Sequence, residues 1–107
     1  TMKKNNSFFF FFLLKVKRLK SKPHAKMVKK LVMACSYPGT FNSSIHSIIN
    51  SSSYKDAILK TIKAGGCNCS RVNFIGAYFA ALKGVNSIPK SWIKKTDLAK
   101  TINREAQ

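Results

Sequence analysis

The sequence predicts an all-α protein, on three observations. Apolar residues recur at helical spacing over residues 41–50 and again over residues 54–64. Two glycines, Gly65 and Gly66, follow the second pattern, and glycine is the usual residue at the end of a helix. An almost wholly apolar helical pattern then covers residues 70–83 and stops at Gly84. Residues 35–107 are therefore predicted to form a helical domain, and residues 1–34 a separate low-complexity segment.

The first helix of this domain is predicted to follow a turn at residues 37–40, where proline and glycine occupy turn positions. Thr40 is the expected N-cap. Its apolar residues recur at helical spacing: Phe41, Ile45, Ile48 and Ile49.

The second helix is predicted to begin at Tyr54, because Ser53 and Asp56 form an N-terminal capping signal. It is expected to run to about Ala64, where the glycine pair ends it. Its predicted inner face consists of Ala57, Ile58, Thr61 and Ile62.

The third helix, over residues 70–83, has almost no polar face, which is typical of a helix buried in a large protein. It is too short to span a bilayer. The rest of the domain supplies short helices, among them a turn near Trp92 and a last helix capped by Thr96 and Asp97. We therefore expect either a partner chain or the remainder of a larger all-helical domain to cover helix 70–83.

The first 34 residues differ from the rest in composition. Five phenylalanines at residues 8–12 and two leucines lie between lysine-rich stretches. This apolar run is at the lower limit for a signal peptide, and no small-residue cleavage site follows, so we expect no signal peptide. Residues 1–34 are predicted to be disordered or a short helix. An amphipathic membrane anchor and sequence without selected function remain alternatives.

The net charge of +17 comes from 20 basic residues and the three acids Asp56, Asp97 and Glu105. Such a balance is typical of binding to nucleic acid or to an anionic membrane, here through residues 3–30. The basic residues after Cys35 are spread singly, which is typical of a solvated surface. A small basic module that binds nucleic acid or anionic membrane is therefore an alternative function.

The three cysteines, Cys35, Cys67 and Cys69, are an odd number, which argues against a disulfide framework. Reduced thiols in an intracellular, cytoplasmic protein are expected instead. A zinc site built from these cysteines with His24 or His46 lacks the usual two-residue spacing and is not expected. A cysteine nucleophile would have His46 as its base, although this histidine is expected to pack on its own helix.

Four short matches, in the same order along residues 37–98, resemble the C-terminal end of the ADP-ribosylglycohydrolase family, which includes the J-type crystallins of jellyfish lenses. The matching stretches are residues 53–58, the glycine pair with Ser70 and Arg71, residues 74–84, and Ile88, Pro89 and Trp92. No resemblance is apparent in residues 1–34.

The resemblance implies that the chain is the C-terminal helical fragment of a larger, orthogonal all-helical domain. Family enzymes remove ADP-ribose from proteins or small molecules. In them, two magnesium ions lie between an N-terminal acidic motif and a C-terminal motif of the form Gly-Gly-Asp-x-Asp-Ser/Thr. Magnesium prefers hard, charged oxygen ligands, which these carboxylates supply.

In this chain the carboxylate positions of the C-terminal motif are Cys67 and Cys69, and soft sulfur ligands suit magnesium poorly. No acid precedes Asp56. Arg71 is either a phosphate anchor for an ADP-ribose-type ligand or, as we expect, a surface salt-bridge residue. The corresponding ligand junction consists of Gly65, Gly66, Cys67, Asn68, Cys69, Ser70 and Arg71. We expect neither a catalytic residue nor a bound metal there.

The predicted function is that of a truncated or degenerate ADP-ribosylglycohydrolase or J-crystallin-like protein, inactive as a hydrolase. A crystallin-like structural protein is a further alternative. Such a role demands solubility and stability, and an exposed apolar helix argues against both because it promotes aggregation.

Overall fold

The computed structural model describes residues 14, 16–31 and 35–107. This part of the chain is helical and contains no strand, which confirms the predicted all-α class. The run of phenylalanines at residues 8–12 lies outside the described residues. From residue 24 onward the helices are α1 (His24–Leu31), α2 (Gly39–Ile49), α3 (Tyr54–Ala64), α4 (Asn68–Lys83), α5 (Lys90–Lys95) and α6 (Ala99–Glu105), and a 3-10 turn at Val85–Ser87 joins α4 to α5.

Helix α1 has one buried face and one lysine-rich face. Its residues His24, Met27, Val28 and Leu31 are buried. They pack against α2 and α3. Residues 24–31 therefore contribute to the helical core although their surroundings in the sequence are rich in lysine. The predicted division of the chain at residue 35 remains a prediction.

Helix α2 begins at Gly39, so Thr40 lies inside its first turn and not at the predicted N-cap. Of its apolar residues at helical spacing, Ile48 is buried, whereas Ile49 is 36% exposed. The helix instead buries a mainly polar face that includes Asn42, Ser43, His46 and Ser47. The hydroxyl of Ser43 donates to the carbonyl of Gly39 at 2.9 Å, so its polar group is satisfied within the helix.

Helix α3 begins and ends as predicted. The Ser53 hydroxyl accepts a hydrogen bond from the Asp56 backbone N–H at 3.2 Å, which is the expected N-cap. Ala57, Ile58 and Thr61 are buried as predicted, whereas Ile62 is 50% exposed. Ala64 is buried at the last position of the helix.

Within the described residues, helix α4 is covered on one side only, and the prediction that a partner chain or the rest of a larger domain covers it remains a prediction. Ile75 and Phe79 of α4 belong to a hydrophobic core whose other members are Ile48, Ala57 and Ile58. On the uncovered side Phe74, Tyr78 and Leu82 are 40%, 41% and 62% exposed. We call these three side chains the open face of α4.

The last two helices are short and peripheral. Trp92 of α5 packs edge-on against Tyr54, with ring centroids 6.1 Å apart. Helix α6 begins after Leu98, which has a φ of 60°, so Thr96 and Asp97 do not provide the predicted cap. Among the described residues, no helix has both the length and the apolar content needed to cross a bilayer.

Candidate functional site

The glycine junction, residues 65–71, is the tight turn between α3 and α4. Gly65 and Gly66 have φ angles of 75° and 78°, a region that favours glycine because other residues meet a Cβ clash there. The Gly65 N–H donates to the Ile62 carbonyl at 3.1 Å and ends α3. The Asn68 N–H donates to the Gly66 carbonyl at 2.9 Å, where α4 begins. The junction thus brings all seven predicted site residues into one turn and the first turn of a helix.

Arg71 is buried beneath this junction, with 1% of its surface exposed. Its Nε donates to the Cys67 carbonyl at 3.3 Å, and its Nη2 donates to the Gly65 carbonyl and, at 3.0 Å, to Asn68 Oδ1. Burial lowers the pKa of the Arg71 guanidinium. The prediction of a surface salt-bridge residue was wrong, because Arg71 is inside and its described partners are neutral oxygens.

One polar atom of Arg71 lacks a partner. Its Nη1 is buried and makes no hydrogen bond with any described residue. Such an orphaned donor is uncommon, because leaving a buried polar group unpaired costs about 1–3 kcal/mol. The remaining guanidinium nitrogens already hold the junction together, so only Nη1 is available to a further partner.

Cys67 is joined to Cys35 by a disulfide bond, with Cα atoms 5.6 Å apart. The prediction that all three thiols are reduced was therefore wrong. Periodicity could not reveal this pair, because the two cysteines are 32 residues apart and meet only through the packing of α2 against α4. Disulfides persist mainly in oxidising compartments, and the cytoplasmic location remains a prediction.

The other polar side chains of the junction are either hydrogen-bonded or exposed to solvent. Ser70 donates its hydroxyl hydrogen to the Cys67 sulfur at 3.3 Å, and Asn68 Oδ1 accepts from Arg71. Cys69 is a free thiol at the surface. The junction therefore contains no carboxylate, one exposed sulfur, and a buried cation directly behind it.

No group of three or more His, Cys, Asp or Glu side chains that could hold a metal occurs in the described ranges. Cys35 and Cys67 are bonded to each other, so they cannot act as thiolate ligands for zinc. His46 is likewise engaged, because its Nε2 donates to the Leu19 carbonyl at 3.0 Å and its Nδ1 lies 3.0 Å from His24 Nδ1. It is thus held by α1 and the loop before it rather than placed beside a cysteine.

Sequence patterns also missed a buried polar cluster behind the junction. Burial, together with smaller contributions from the nearby His46, Arg71 and Lys60, lowers the pKa of His24 to about 4. Ser47 and Thr61 share a hydrogen bond of 3.0 Å between α2 and α3. The only signal in the sequence was the small, polar face of α2, which lies between its more conspicuous isoleucines.

Comparison with known proteins gives one family. The family model described as ADP-ribosylglycohydrolase matches residues 13–107. This match begins within the segment for which we expected no resemblance, so that expectation was wrong. No solved structure matches the chain significantly.

Two crystallins of Tripedalia cystophora are similar to the chain. Crystallin J1A is 35% identical over 80 residues, which are 75% of this chain and 25% of the crystallin. Crystallin J1B is 32% identical over 69 residues, which are 64% of this chain and 21% of that crystallin. The chain therefore spans a quarter or less of the length of these curated relatives.

Proposed function

The chain belongs to the ADP-ribosylglycohydrolase family, and from that premise we propose that it is a degenerate, J-crystallin-like member without hydrolase activity. The observation that best supports this proposal is the buried guanidinium of Arg71, which fills the glycine junction and bonds to its oxygens. In such a junction the backbone is held for stability, and the groups that family enzymes use for metal binding are absent.

The donor atoms of the junction do not suit magnesium. The ion requires hard oxygen ligands in octahedral geometry, and carboxylates satisfy it best. Cys67 has no thiolate to offer because of its disulfide, and Cys69 offers only a soft sulfur. The positive charge of Arg71 would also repel a divalent cation. We therefore propose that this chain holds no magnesium at the junction.

A hydrolysis assay tests the proposal. The full chain is incubated with an ADP-ribosylated protein and magnesium, beside an active family hydrolase as the positive control. We expect release of ADP-ribose by the control enzyme only. Turnover by the purified chain would contradict the proposal.

Magnesium binding gives a second, independent readout. Calorimetry on the full chain should show no saturable heat with Mg²⁺, whereas a chain carrying both Cys67→Asp and Cys69→Asp should bind the ion more tightly than the parent. Cys35→Ser with Cys67→Ser is the matched control, because it removes the disulfide without adding a carboxylate. Saturable binding by the parent chain would overturn the assignment.

In place of hydrolase activity we propose a structural role, which the name crystallin implies for the relatives. Two features support it: the disulfide that links the junction to Cys35, and the hydrogen bonds of Arg71. Both stabilise the fold and neither supplies a catalytic group. Such a role requires the open face of α4 to be covered, and we propose that another helical surface covers it, from a larger domain or a partner chain. An ADP-ribose-type ligand at Arg71 Nη1 is the alternative partner.

Binding to a polyanion is the second candidate function. The outer face of α1 presents Lys26, Lys29 and Lys30 to solvent, and no acid precedes Asp56 in the sequence. Binding of nucleic acid or an anionic membrane through this face must weaken steeply with salt. A titration without salt dependence would exclude it.

A further inference from the structure

A small pocket lies where the loop before α1 meets the end of α2 and the middle of α3. Its volume is about 290 Å³, and it is lined by Lys20, Ser21, Lys22, Pro23, His24, Asn50 and Lys60. We call it the loop pocket. It shares no residue with the glycine junction, so it is a separate feature of the fold.

Three lysines and no acidic residue line the loop pocket. The Lys60 ammonium is fixed in place, because it donates to the Asn50 carbonyl at 2.6 Å and to Asp56 Oδ2 at 2.8 Å. An ammonium group has three hydrogens, so one donor of Lys60 remains. Asp56 offsets the charge of Lys60. Lys20 and Lys22 form no ion pair within the described ranges, so two positive charges are left uncompensated.

This arrangement matches the chemistry of a phosphate group. A phosphate monoester carries a charge of about −1.5 to −2 near neutral pH and offers three strong acceptor oxygens. The residues that line the pocket include two lysines without an ion pair in the described ranges, Lys20 and Lys22, and the hydroxyl-bearing Ser21. Its volume is at the lower end for ligand pockets, which suits a phosphate group better than a whole nucleotide.

We propose that the loop pocket binds a phosphate group, either as inorganic phosphate or as a phosphomonoester. Lys20 and Lys22 supply the charge. Lys60 supplies a donor that its hydrogen bonds to the Asn50 carbonyl and Asp56 Oδ2 hold in position. The proposal does not depend on the proposed loss of hydrolase activity, because the two sites share no residues.

Titration of the full chain with inorganic phosphate, at physiological ionic strength set by sodium chloride, tests the proposal. We expect calorimetry to show saturable binding of phosphate. The double variant Lys20→Gln, Lys22→Gln should weaken this binding by about tenfold or more, since it removes two charge-assisted hydrogen-bond donors. Both lysines are exposed, so far-UV circular dichroism should show the helix content of the parent.

The matched control is Lys94→Gln, Lys95→Gln, which removes the same charge from the exposed end of α5 and leaves the pocket intact. It should bind phosphate within about twofold of the parent chain, because it removes none of the pocket's donors. Equal loss in both double variants would mean a diffuse effect of net charge and would overturn the site. Absence of saturable binding by the parent would overturn it as well.

A competition experiment assigns the source of the phosphate group. The chain is mixed with vesicles of phosphatidylcholine containing phosphatidic acid, and inorganic phosphate is added. Release of the chain by phosphate, seen with the parent and reduced in Lys20→Gln, Lys22→Gln, supports the site with a lipid headgroup as its ligand. Phosphate binding without any vesicle binding supports it with a soluble ligand. If the chain binds vesicles, is not released by phosphate and also fails to bind free phosphate, the proposed site is contradicted.

Discussion

His24 and His46 face each other in the interior, with their Nδ1 atoms 3.0 Å apart and their rings nearly parallel. His46 Nε2–H donates to the Leu19 carbonyl, and of the two facing Nδ1 atoms one must donate and the other accept. This shared hydrogen bond joins α1 to α2. The Nε2 of His24 is buried and makes no hydrogen bond with a described residue.

The pair predicts a loss of stability on acidification. Burial lowers the pKa of His24 from 6.5 to about 4, so between these pH values the unfolded chain binds a proton that the folded chain does not. The free energy of unfolding should therefore fall as the pH drops from 6.5 toward 4, by about 3 kcal/mol in total. Urea unfolding at several pH values measures this fall.

The control for this prediction is His24→Gln, which removes the titrating group. Its absolute stability will be lower, but its stability should change less between pH 7 and 4.5 than that of the parent. The carboxyl of Asp56 has a pKa held below 3.8 by its hydrogen bond with Lys60, so its own contribution is lost only at lower pH. Equal slopes in parent and variant would contradict the role assigned to His24.

Arg71 should be among the more important side chains for the stability of the junction. Replacing it with alanine removes hydrogen bonds to the Gly65 and Cys67 carbonyls and to Asn68, and leaves these oxygens unpaired. We expect Arg71→Ala to lower the free energy of unfolding by about 2–3 kcal/mol. Urea denaturation followed by circular dichroism measures the loss.

The matched control is Arg104→Ala. Arg104 is 75% exposed at its side chain, and among the described residues its side chain pairs only with its neighbour Glu105, so its loss should change stability by less than about 0.5 kcal/mol. A similar small effect at both positions would show that the guanidinium of Arg71 does not hold the junction.

How far the sequence predicts this structure depends on the range of the interaction. The start of α3 was predictable because Ser53 caps a backbone N–H only three residues away, and its end because the glycines adopt positive φ. The His24–His46 contact and the Cys35–Cys67 bond were not, since each joins residues more than 20 positions apart. The burial of Arg71 was missed because a charged residue after a loop is usually exposed.

The disulfide predicts the number of reactive thiols. In the folded, unreduced chain only Cys69 should react with a thiol reagent, because Cys35 and Cys67 are bonded. Closing a loop of 32 residues should stabilise the chain by about 3–4 kcal/mol in the loop-entropy model. Cys35→Ser should therefore lower the free energy of unfolding by a comparable amount, and Cys69→Ser should not. Detection of three reactive thiols in the folded, unreduced chain would contradict the bond.

The two sides of α4 should respond differently to substitution. Phe79 is 3% exposed and Ile75 is fully buried, so Phe79→Ala should cost about 3–5 kcal/mol of stability through the cavity it leaves. Leu82 is 62% exposed on the open face, and Leu82→Ser should change the stability of the isolated chain by less than about 0.5 kcal/mol.

Self-association should depend on the open face of α4, although substitutions there leave stability nearly unchanged. An uncovered apolar surface drives chains together, so Leu82→Ser combined with Tyr78→Ser should raise the concentration at which the chain begins to associate. Light scattering over a concentration series measures this, with Lys83→Ser as a control at a neighbouring polar position. If the double variant associates at the same concentration as the parent, the open face is not what drives association, and the proposal that another helical surface covers it loses its support.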